Sequence, residues 1–265
     1  MNIRLNNAPY TTSAETYQDL KDASDLLADM LIVNGHSKAW DTHISQDDNV
    51  IMLDSKSTPS ISTWRAIYDA RYGKEIMDKL QAGKVAICGL GGLGSLIAIE
   101  LGRLGVGSLL LIDYDVVEPT NLARQQFNFS HIGLNKTDAV ANQLAEIAPL
   151  TKVTTKNIRL THENIVEILH EYPYVCEAVD KPETKALLTQ IILSKCPNTT
   201  IIGGSGMAGH GPGNAIQAKR ILPRLYMVGD GESEGEEGIG LMAPRVGLCA
   251  SAQATLIMRL LLNDI

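Results

Sequence analysis

The sequence predicts an α/β protein in which a doubly wound, mostly parallel sheet follows a small unit of short strands and one helix. From Gly83 onward, short continuous apolar runs alternate with longer helical stretches, a pattern typical of buried parallel strands joined by helices. Before residue 54 the apolar runs are short and are separated by stretches rich in Asn, Asp and Ser. The 265 residues are 45% hydrophobic and 20% charged, which is the composition of a folded globular protein.

Charge and cysteine content exclude several classes of protein. The net charge of −7 argues against a nucleic-acid-binding or membrane-binding surface. The four cysteines form no C-x-x-C pair, which favours a reducing compartment over a disulfide framework. The polar amino terminus does not have the pattern of a signal peptide, and the apolar run near residue 260 is short and contains Arg259. We therefore expect a cytoplasmic protein that binds neither nucleic acid nor membrane.

The amino-terminal region has the pattern of a small independent unit. Apolar runs at Ile3–Leu5, Met30–Val33 and Val50–Leu53 predict strands, and the spacing of apolar residues over Ala14–Leu27 predicts a helix. Residues 54–60 have the composition of a linker, and a helical pattern begins near Ile61. We place the domain boundary there, which divides the chain into residues 1–57 and 58–265.

The larger region alternates strands with helices. Because ligands of doubly wound sheets bind beyond the carboxyl ends of the strands, functional residues are expected in the loops that follow the strands. The predicted strands are Val85–Cys88, Ser108–Ile112, Val175–Val179 and Ile201–Ile202. The predicted helices are Leu93–Leu104, Lys136–Ile147, Pro182–Ser194 and Pro244–Leu262.

A glycine-rich segment follows the first of these strands. It contains Gly89, Gly91, Gly92 and Gly94 and opens a helix, which is the context of a nucleotide-binding fingerprint. Asp113 ends the next predicted strand about 20 residues further on, a place from which a carboxylate reaches a ribose hydroxyl. The glycines could instead form only a tight turn, and an NAD-dependent oxidoreductase would use the same loop and acid. A bound nucleotide is the preferred interpretation.

Cationic side chains follow Asp113. Arg124 can donate two parallel hydrogen bonds to phosphate oxygens, and Lys136 supplies a point charge. This pairing suits a triphosphate that is attacked at its α-phosphorus, although solvated surface charges are the ordinary alternative. The same segment contains Asp115, Thr120 and Asn121.

Asp180 directly follows the predicted strand Val175–Val179. One carboxylate together with phosphate oxygens is a common way of holding Mg²⁺. The alternative role is capping of the next helix, which Lys181 and Pro182 begin, and the two roles are compatible.

Together these motifs resemble the ThiF/MoeB adenylyltransferases, which are relatives of ubiquitin-activating enzymes. The resemblance covers roughly residues 62–265 and extends to the short, zinc-free ThiF variant. The motifs that carry it are Gly89–Gly94, Asp113–Asp115, Asn121–Gln125, Lys136 and Asp180, with further matches at Ala70–Gly73, Ser205–Gly209, Leu225–Gly231 and Gly240–Gly247.

The resemblance implies that ATP·Mg²⁺ adenylates the carboxyl-terminal glycine of a ThiS-type, ubiquitin-like sulfur carrier in thiamine thiazole synthesis. By analogy Asp113 holds the ribose, Asn121 and Arg124 contact the phosphates, Lys136 stabilises developing charge and Asp180 binds Mg²⁺. Arg71 would act as an arginine finger across a homodimer interface, and the acidic Gly229–Gly240 loop would cover the carrier's tail. The implied nucleotide-binding set is Gly89, Gly91, Gly92, Gly94, Asp113, Asp115, Thr120, Asn121, Arg124, Lys136, Asp180 and Lys181.

Two departures from the family bear on its chemistry. The sequence lacks the two C-x-x-C pairs of zinc-containing members, so no zinc is expected. No cysteine lies between Leu225 and Ala243, so sulfur is expected to come from a separate protein, and Cys249 is expected to be a core residue. The alternatives to a ThiS-type carrier enzyme are a MoaD-type carrier enzyme, an NAD-dependent oxidoreductase and a non-catalytic carrier-binding scaffold.

The amino-terminal region resembles the carrier ThiS itself, which implies a β-grasp, ubiquitin-like fold. A working carrier ends in Gly-Gly, whereas Leu53 here continues into Asp54-Ser55-Lys56. We expect a degenerate carrier-like module with a role in docking or dimer architecture.

Overall fold

The computed structural model describes residues 1–235 and 238–265. The chain forms two compact units, residues 1–79 and 80–265. The predicted boundary at residue 57 falls inside the first of these units, because a helix that follows the linker packs on the amino-terminal sheet. The division into domains at residues 57 and 58 stays a prediction.

The amino-terminal unit is a mixed sheet with one helix packed on it. Parallel pairing of its first and last strands beside antiparallel neighbours is the β-grasp arrangement, so this part of the predicted fold is confirmed. The elements are β1 Asn2–Leu5, β2 Ala8–Thr11, α1 Tyr17–Ser24, β3 Met30–Val33, β4 His36–Ser37 and β5 Asn49–Leu53, with strand order β2-β1-β5-β3-β4. Tyr17 and Leu20 of α1 are buried among the inward side chains of these strands.

Helix α1 is shorter than the predicted Ala14–Leu27. Thr16 caps its start, because its hydroxyl accepts from the Asp19 amide while the Asp19 carboxylate accepts from the Thr16 amide. Asp25, with φ 52°, ends the helix in the left-handed conformation. Leu27 is therefore not part of an apolar helix face and is 90% exposed.

Helices α2 (Ile61–Tyr72) and α3 (Lys74–Ala82) follow the linker, and α2 packs on the amino-terminal sheet. Asn7 donates from its side chain to the Ser62 carbonyl at 2.7 Å. Gly35, in the turn between β3 and β4, has φ +80°, and a methyl group there would lie 3.1 Å from backbone atoms of Ala70 and Arg71. This turn therefore requires glycine for both its conformation and its clearance.

The larger unit, described over residues 80–235 and 238–265, contains one seven-stranded sheet. Its order is β11-β12-β10-β9-β6-β7-β8, and every pair is parallel except β11 with β12. The predicted doubly wound, mostly parallel sheet is confirmed. The strands are β6 Lys84–Cys88, β7 Ser108–Asp113, β8 Lys152–Asn157, β9 Tyr174–Glu177, β10 Thr200–Gly204, β11 Gln217–Leu222 and β12 Leu225–Gly229.

Helices cover both faces of this sheet. They are α4 Gly92–Leu104, α5 Lys136–Ile147, α6 Ile165–Leu169, α7 Pro182–Lys195 and α8 Ala243–Leu262. Helices α6 and α7 bury Ile165, Leu169 and Leu188 against alternate residues of the strands, and α4, α5 and α8 pack together on the other face. Within the described part of the chain, α8 alone is long and apolar enough to span a bilayer, and half of its most apolar stretch is buried in the protein.

Three strands of this unit were not predicted, and the end of β9 differs from its prediction. Strands β8 and β11 lie at the two edges of the sheet, where mostly exposed side chains leave no continuous apolar run. Strand β12 lies between β10 and β11, but the sequence predicted its residues only as part of the motif Leu225–Gly231. Strand β9 ends at Glu177 rather than Val179. Ala178 and Val179 therefore belong to the loop at the carboxyl end of β9, which also carries Asp180.

Substitution of Gly35 tests the packing of α2 on the amino-terminal unit. Alanine there would strain the backbone and press on the Ala70 and Arg71 backbone, so we expect the free energy of unfolding to fall by about 2–3 kcal/mol. Both tryptophans, Trp40 and Trp64, lie in this unit, so their fluorescence during urea denaturation follows its unfolding.

Asp47→Ala is the control, because Asp47 also has positive φ (67°) but is exposed. We expect it to cost less than about 1 kcal/mol. Equal losses of unfolding free energy in the two variants would show that the close approach of the Gly35 turn to α2 does not contribute to stability.

Candidate nucleotide-binding site

The sheet has a topological switch point between β6 and β9. From β6 the chain proceeds outward to β7 and β8, and it then returns to the other side of β6 to form β9, β10 and β12. Such a reversal opens a crevice at the carboxyl ends of the strands, where ligands of α/β sheets bind. A cavity of about 1570 Å³ lies at this edge and is lined by residues from the loops that follow β6, β7, β8, β9 and β10.

The glycine loop forms the part of the cavity next to β6. Gly89 has φ +92°, and a methyl group there would lie 2.5 Å from the Ala178 carbonyl oxygen. A methyl group on Gly94 would lie 1.8 Å from the Gly89 carbonyl oxygen. Helix α4 begins at Gly92 with no side-chain cap on its first amides. The start of α4 therefore lies against the loop, with free backbone amides available to an anion.

Asp113 connects the glycine loop to the end of β7. Its Oδ2 accepts a hydrogen bond from the Leu90 amide at 2.6 Å, and its Oδ1 accepts from the Asp115 amide at 2.8 Å. The carboxylate is buried but lines the cavity, and a carboxylate has lone pairs for further donors. Asp113 thus shapes the loop in addition to the ribose contact that its position predicts.

The cationic side of the cavity follows β7. Lys136 opens α5 and is buried, and its ammonium pairs with the Asp115 carboxylate at 3.0 Å. Asn121 lies in a short 3₁₀ helix, Pro119–Ala123, where its side-chain oxygen accepts from the Glu118 amide at 3.1 Å. Arg124 follows directly and lies beside Gly92, with its Cγ 3.8 Å from the position of a methyl group on that glycine. Within the described residues Arg124 has no ion-pair partner.

The structure brings most of the predicted set to one cavity. Gly89, Gly91, Gly92, Asp113, Asp115, Thr120, Asn121, Arg124, Lys136, Asp180 and Lys181 line it. Gly94 lies directly beneath the loop. The functional roles of these residues stay predictions.

Gln125 ends the motif Asn121–Gln125 and has no predicted role of its own. It is 8% exposed and lines the cavity beside Gly91. Its side-chain oxygen is buried and accepts no hydrogen bond within the described residues. A buried acceptor of this kind is costly unless a ligand or water satisfies it, so Gln125 belongs with the candidate binding residues.

Asp180 is exposed at the carboxyl end of β9 and lines the cavity close to the glycine loop. No cluster of three or more potential metal-ligating side chains occurs in residues 1–235 and 238–265. Asp180 is the carboxylate that the loop after β9 brings to the cavity. This donor fits Mg²⁺ when phosphate oxygens and water supply the remaining ligands.

An ion pair that sequence reasoning missed lies beneath Asp180. Lys185 of α7 donates to Glu177 Oε2 at 2.5 Å and to the Gly204 carbonyl at 2.9 Å, while Glu177 Oε1 accepts from the Val179 amide at 3.0 Å. Burial raises the pKa of the Glu177 carboxyl, and the Lys185 ammonium opposes that shift. The pair joins the carboxyl ends of β9 and β10 to α7. A glutamate within the apolar run Val175–Val179 was the available signal.

The segment after β12 is also fixed by a carboxylate. Asp230 accepts from the Glu232 and Ser233 amides, each at 2.9 Å, and pairs with the largely buried Arg245 of α8. These amide hydrogen bonds are the main reason that the pKa of Asp230 is lowered to about 2. Ser233 to Gly235 line the cavity. Residues 236 and 237 of the predicted Gly229–Gly240 loop lie outside the described residues.

Two further predictions concern residues outside the cavity. Arg71 lies in the amino-terminal unit, where it is exposed, and its role across a dimer stays a prediction. Cys249 is buried in α8 and its thiol contacts the Val228 carbonyl at 3.3 Å, which confirms it as a core residue. Burial raises the pKa of the Cys249 thiol to about 11, so a reactive thiolate is disfavoured.

The strand order, the crevice and the glycine loop define a Rossmann-like protein with a phosphate-binding type of site. The sequence profile of the ThiF family matches residues 65–264, and the chain belongs to that family. The profile described as ThiS-like ubiquitin matches residues 1–54. Both resemblances inferred from the sequence are thereby confirmed.

Curated relatives and solved structures agree with this assignment. The chain is 26% identical to the adenylyltransferase and sulfurtransferase UBA4 of Candida glabrata over 257 residues, covering 90% of this chain and 56% of that protein. It is 30% identical to the adenylyltransferase and sulfurtransferase MOCS3 of Dictyostelium discoideum over 211 residues, covering 73% and 48% respectively. The chain thus spans about half the length of these relatives.

Among solved structures, the E. coli tRNA N6-threonylcarbamoyladenosine dehydratase TcdA in complex with ATP has a TM-score of 0.67 at 22% identity, covering 74% of this chain and 93% of that one. E. coli MccB has a TM-score of 0.58 at 20% identity, covering 78% and 65%. These likenesses establish the fold.

Two glycine substitutions separate the packing role of the loop from its role in binding. Gly94→Ala places a methyl group into the Gly89 carbonyl, so we expect a loss of about 3 kcal/mol or more in thermal unfolding experiments. In Gly91→Ala the nearest neighbouring atom is 3.8 Å away, at the Gln125 amide nitrogen, so stability should change by less than about 1 kcal/mol.

The same Gly91→Ala variant narrows the approach to the first amides of α4. We expect its affinity for ATP, measured by calorimetry, to fall about tenfold. Wild-type stability of Gly94→Ala would contradict the packing argument, and wild-type affinity of Gly91→Ala would contradict the binding argument.

Proposed function

We propose that this protein adenylates the carboxyl-terminal glycine of a ubiquitin-like sulfur carrier with ATP·Mg²⁺. The observation that carries the proposal is the convergence of the glycine loop, Asp113, Arg124, Lys136 and Asp180 on one cavity at the switch point. Phosphate-binding amides, a ribose acceptor, two cations and a metal-binding carboxylate are what attack at an α-phosphorus requires.

Each residue has a task that follows from its place. The first amides of α4 bind phosphate oxygens, and Asp113 accepts from the ribose. Arg124 and Lys136 balance the negative charge that develops as pyrophosphate leaves, and Asp115 holds the Lys136 ammonium in place at 3.0 Å. Mg²⁺, when bound through Asp180 and the phosphates, would neutralise part of the same charge. No protein nucleophile is needed, because the carrier's carboxylate attacks phosphorus.

The same features weigh against the other classes considered. An NAD-dependent oxidoreductase needs the glycine loop and Asp113 but has no use for Arg124, Lys136 and Asp180 around the phosphates. A non-catalytic scaffold would not require three charged groups on one cavity. Membership of the ThiF family and the names of the curated relatives favour adenylation over both.

For the partner, we propose a ThiS-type carrier of thiamine thiazole synthesis, with a MoaD-type carrier as the alternative. The ThiS-like profile match within the chain supports a partner of this class, since related modules share binding surfaces. Sulfur would be delivered by a separate protein, because no cysteine lies between Leu225 and Ala243. The acidic Gly229–Gly240 segment would cover the carrier's tail.

Carrier-dependent exchange of pyrophosphate into ATP tests the reaction. With purified ThiS-type and MoaD-type carriers ending in Gly-Gly, we expect exchange with one of them. Lys136→Ala and Asp180→Ala should each lower the exchange rate by about 100-fold or more, because each removes charge stabilisation at the phosphates. Lys195→Ala, an exposed lysine of α7 outside the cavity, is the control and should leave the rate unchanged.

The outcomes separate the candidate functions. Exchange with one carrier establishes both reaction and partner class. ATP binding without exchange for either carrier would favour a binding scaffold, and tight nicotinamide dinucleotide binding without Mg²⁺ would favour an oxidoreductase. A wild-type rate for Lys136→Ala would remove the assigned role of that lysine.

We also propose that two copies of the chain form a homodimer through an apolar surface next to the site. Val116, Phe129, Ile132 and Leu134 are each at least 39% exposed, and Phe129 is 85% exposed. The Val117 amide donates to the Leu134 carbonyl at 2.8 Å, which brings the two ends of this surface together. Apolar side chains exposed together are typical of an interface.

Phe129→Asp should convert the dimer to a monomer in analytical ultracentrifugation, because a charge would be buried at the interface. Leu27→Asp is the control, since Leu27 is 90% exposed in the other unit and its substitution should not alter the mass of the dimer.

Mixing inactive Arg71→Ala and Lys136→Ala chains should restore part of the exchange activity if Arg71 acts across the dimer. A monomeric wild-type protein would refute the interface, and failure of the mixture would refute the role of Arg71 in trans.

A further inference from the structure

The strand order gives the direction in which a nucleotide lies. Its phosphates belong at the start of α4, after β6, and its ribose at Asp113, after β7. Since β8 is the next strand outward, the base lies over the loop that follows β8. Ile158, Arg159 and Leu160 begin this loop, and all three line the same cavity.

The backbone of this loop is held in place. Leu160 is 7% exposed and packs in the core beneath α6 and α7. Asn164, at the start of α6, donates to the Arg159 carbonyl at 2.9 Å and accepts from the Thr161 amide at 2.8 Å. Arg159 therefore has a fixed main chain and an exposed side chain at the cavity wall.

The Arg159 guanidinium lies over an aromatic ring rather than beside an acid. Its Cζ is 5.9 Å from the centroid of the Tyr114 ring, and Tyr114 also lines the cavity and is 46% exposed. Within residues 1–235 and 238–265 no carboxylate forms an ion pair with Arg159. The planar group thus has one face on Tyr114 and is free to meet a second flat group.

We infer that Arg159, supported by Tyr114, is the platform on which the nucleotide base stacks. This inference rests on the nucleotide of the proposed function and adds a specificity-determining residue to it. A guanidinium plane stacks on the π-face of any base and does not read hydrogen-bonding edges, so the platform selects for the larger face of a purine. Purine nucleotides should therefore bind more tightly than pyrimidine nucleotides.

A different role for the same side chain would be a charge contact with phosphate or with the carrier's carboxylate. The two roles differ in what they require of the ligand. Stacking needs the base and the flat guanidinium, whereas a charge contact needs only phosphate and any cation. Ligands and variants that separate these requirements decide between them.

The experiment is calorimetric titration of the 265-residue chain with AMP, CMP and inorganic tripolyphosphate. Arg159→Ala should weaken AMP binding about tenfold, lower the preference for AMP over CMP and leave tripolyphosphate binding unchanged. Arg159→Lys keeps the charge but loses the plane, so it should behave like Arg159→Ala. Arg220→Ala is the matched control: Arg220 lies 5.8 Å from the Tyr226 ring but does not line the cavity, and its loss should change none of the affinities.

Three results would overturn the inference: wild-type AMP affinity in Arg159→Ala, wild-type AMP affinity in Arg159→Lys, or a parallel loss of tripolyphosphate binding. Failure of the proposed function gives other results. Absence of a nucleotide site would leave the wild-type protein unable to bind AMP or tripolyphosphate, and absence of adenylation would appear only as loss of pyrophosphate exchange. Failure of the inference alone leaves both wild-type affinities and the exchange intact.

Discussion

The close approach of Gly94 to the Gly89 carbonyl is the constraint on which the site depends. Because no side chain separates them, the start of α4 lies directly against the end of β6, and its free amides face the crevice. The Leu90 amide within this turn is held by Asp113, so the loop is tied to β7 as well. The phosphate site thus arises from the packing of one helix on two strands and does not depend on a cationic side chain.

The cavity lining is less negative than the molecule as a whole. The chain carries a net charge of −7, yet Arg124, Lys136, Lys181 and Lys185 all line the cavity, as does Arg159. Asp115 and Glu177 neutralise two of these cations, and the others have no acidic partner among the described residues. An equal number of carboxylates lines the cavity, namely Asp113, Asp115, Glu118, Asp180 and Glu234. The cations without an acidic partner are therefore the groups that can attract the phosphates of a nucleotide.

The centre of the sheet is more predictable from the sequence than its edges. Central parallel strands are buried on both faces, so β6 and β7 appear as continuous apolar runs, and α5 follows Lys136–Ile147 as predicted. Strands β8 and β11 carry exposed polar side chains, since each lies at an edge of the sheet. Site residues in the glycine motif or at the end of a strand are predictable from the local sequence. The Glu177–Lys185 ion pair is not, because only the tertiary fold brings its two residues together. The roles of Gln125 and Arg159 likewise depend on neighbours that only the tertiary fold brings together.

The Glu177–Lys185 pair has a consequence for how the family can diverge. Loss of either partner leaves the other charged and largely enclosed, and the carbonyl of Gly204 loses its donor when the lysine is replaced. Substitutions that preserve the fold must therefore occur together or keep the charge, as an arginine in place of the lysine would. The two positions should covary across homologous chains, because their ion pair joins the carboxyl ends of β9 and β10 to α7.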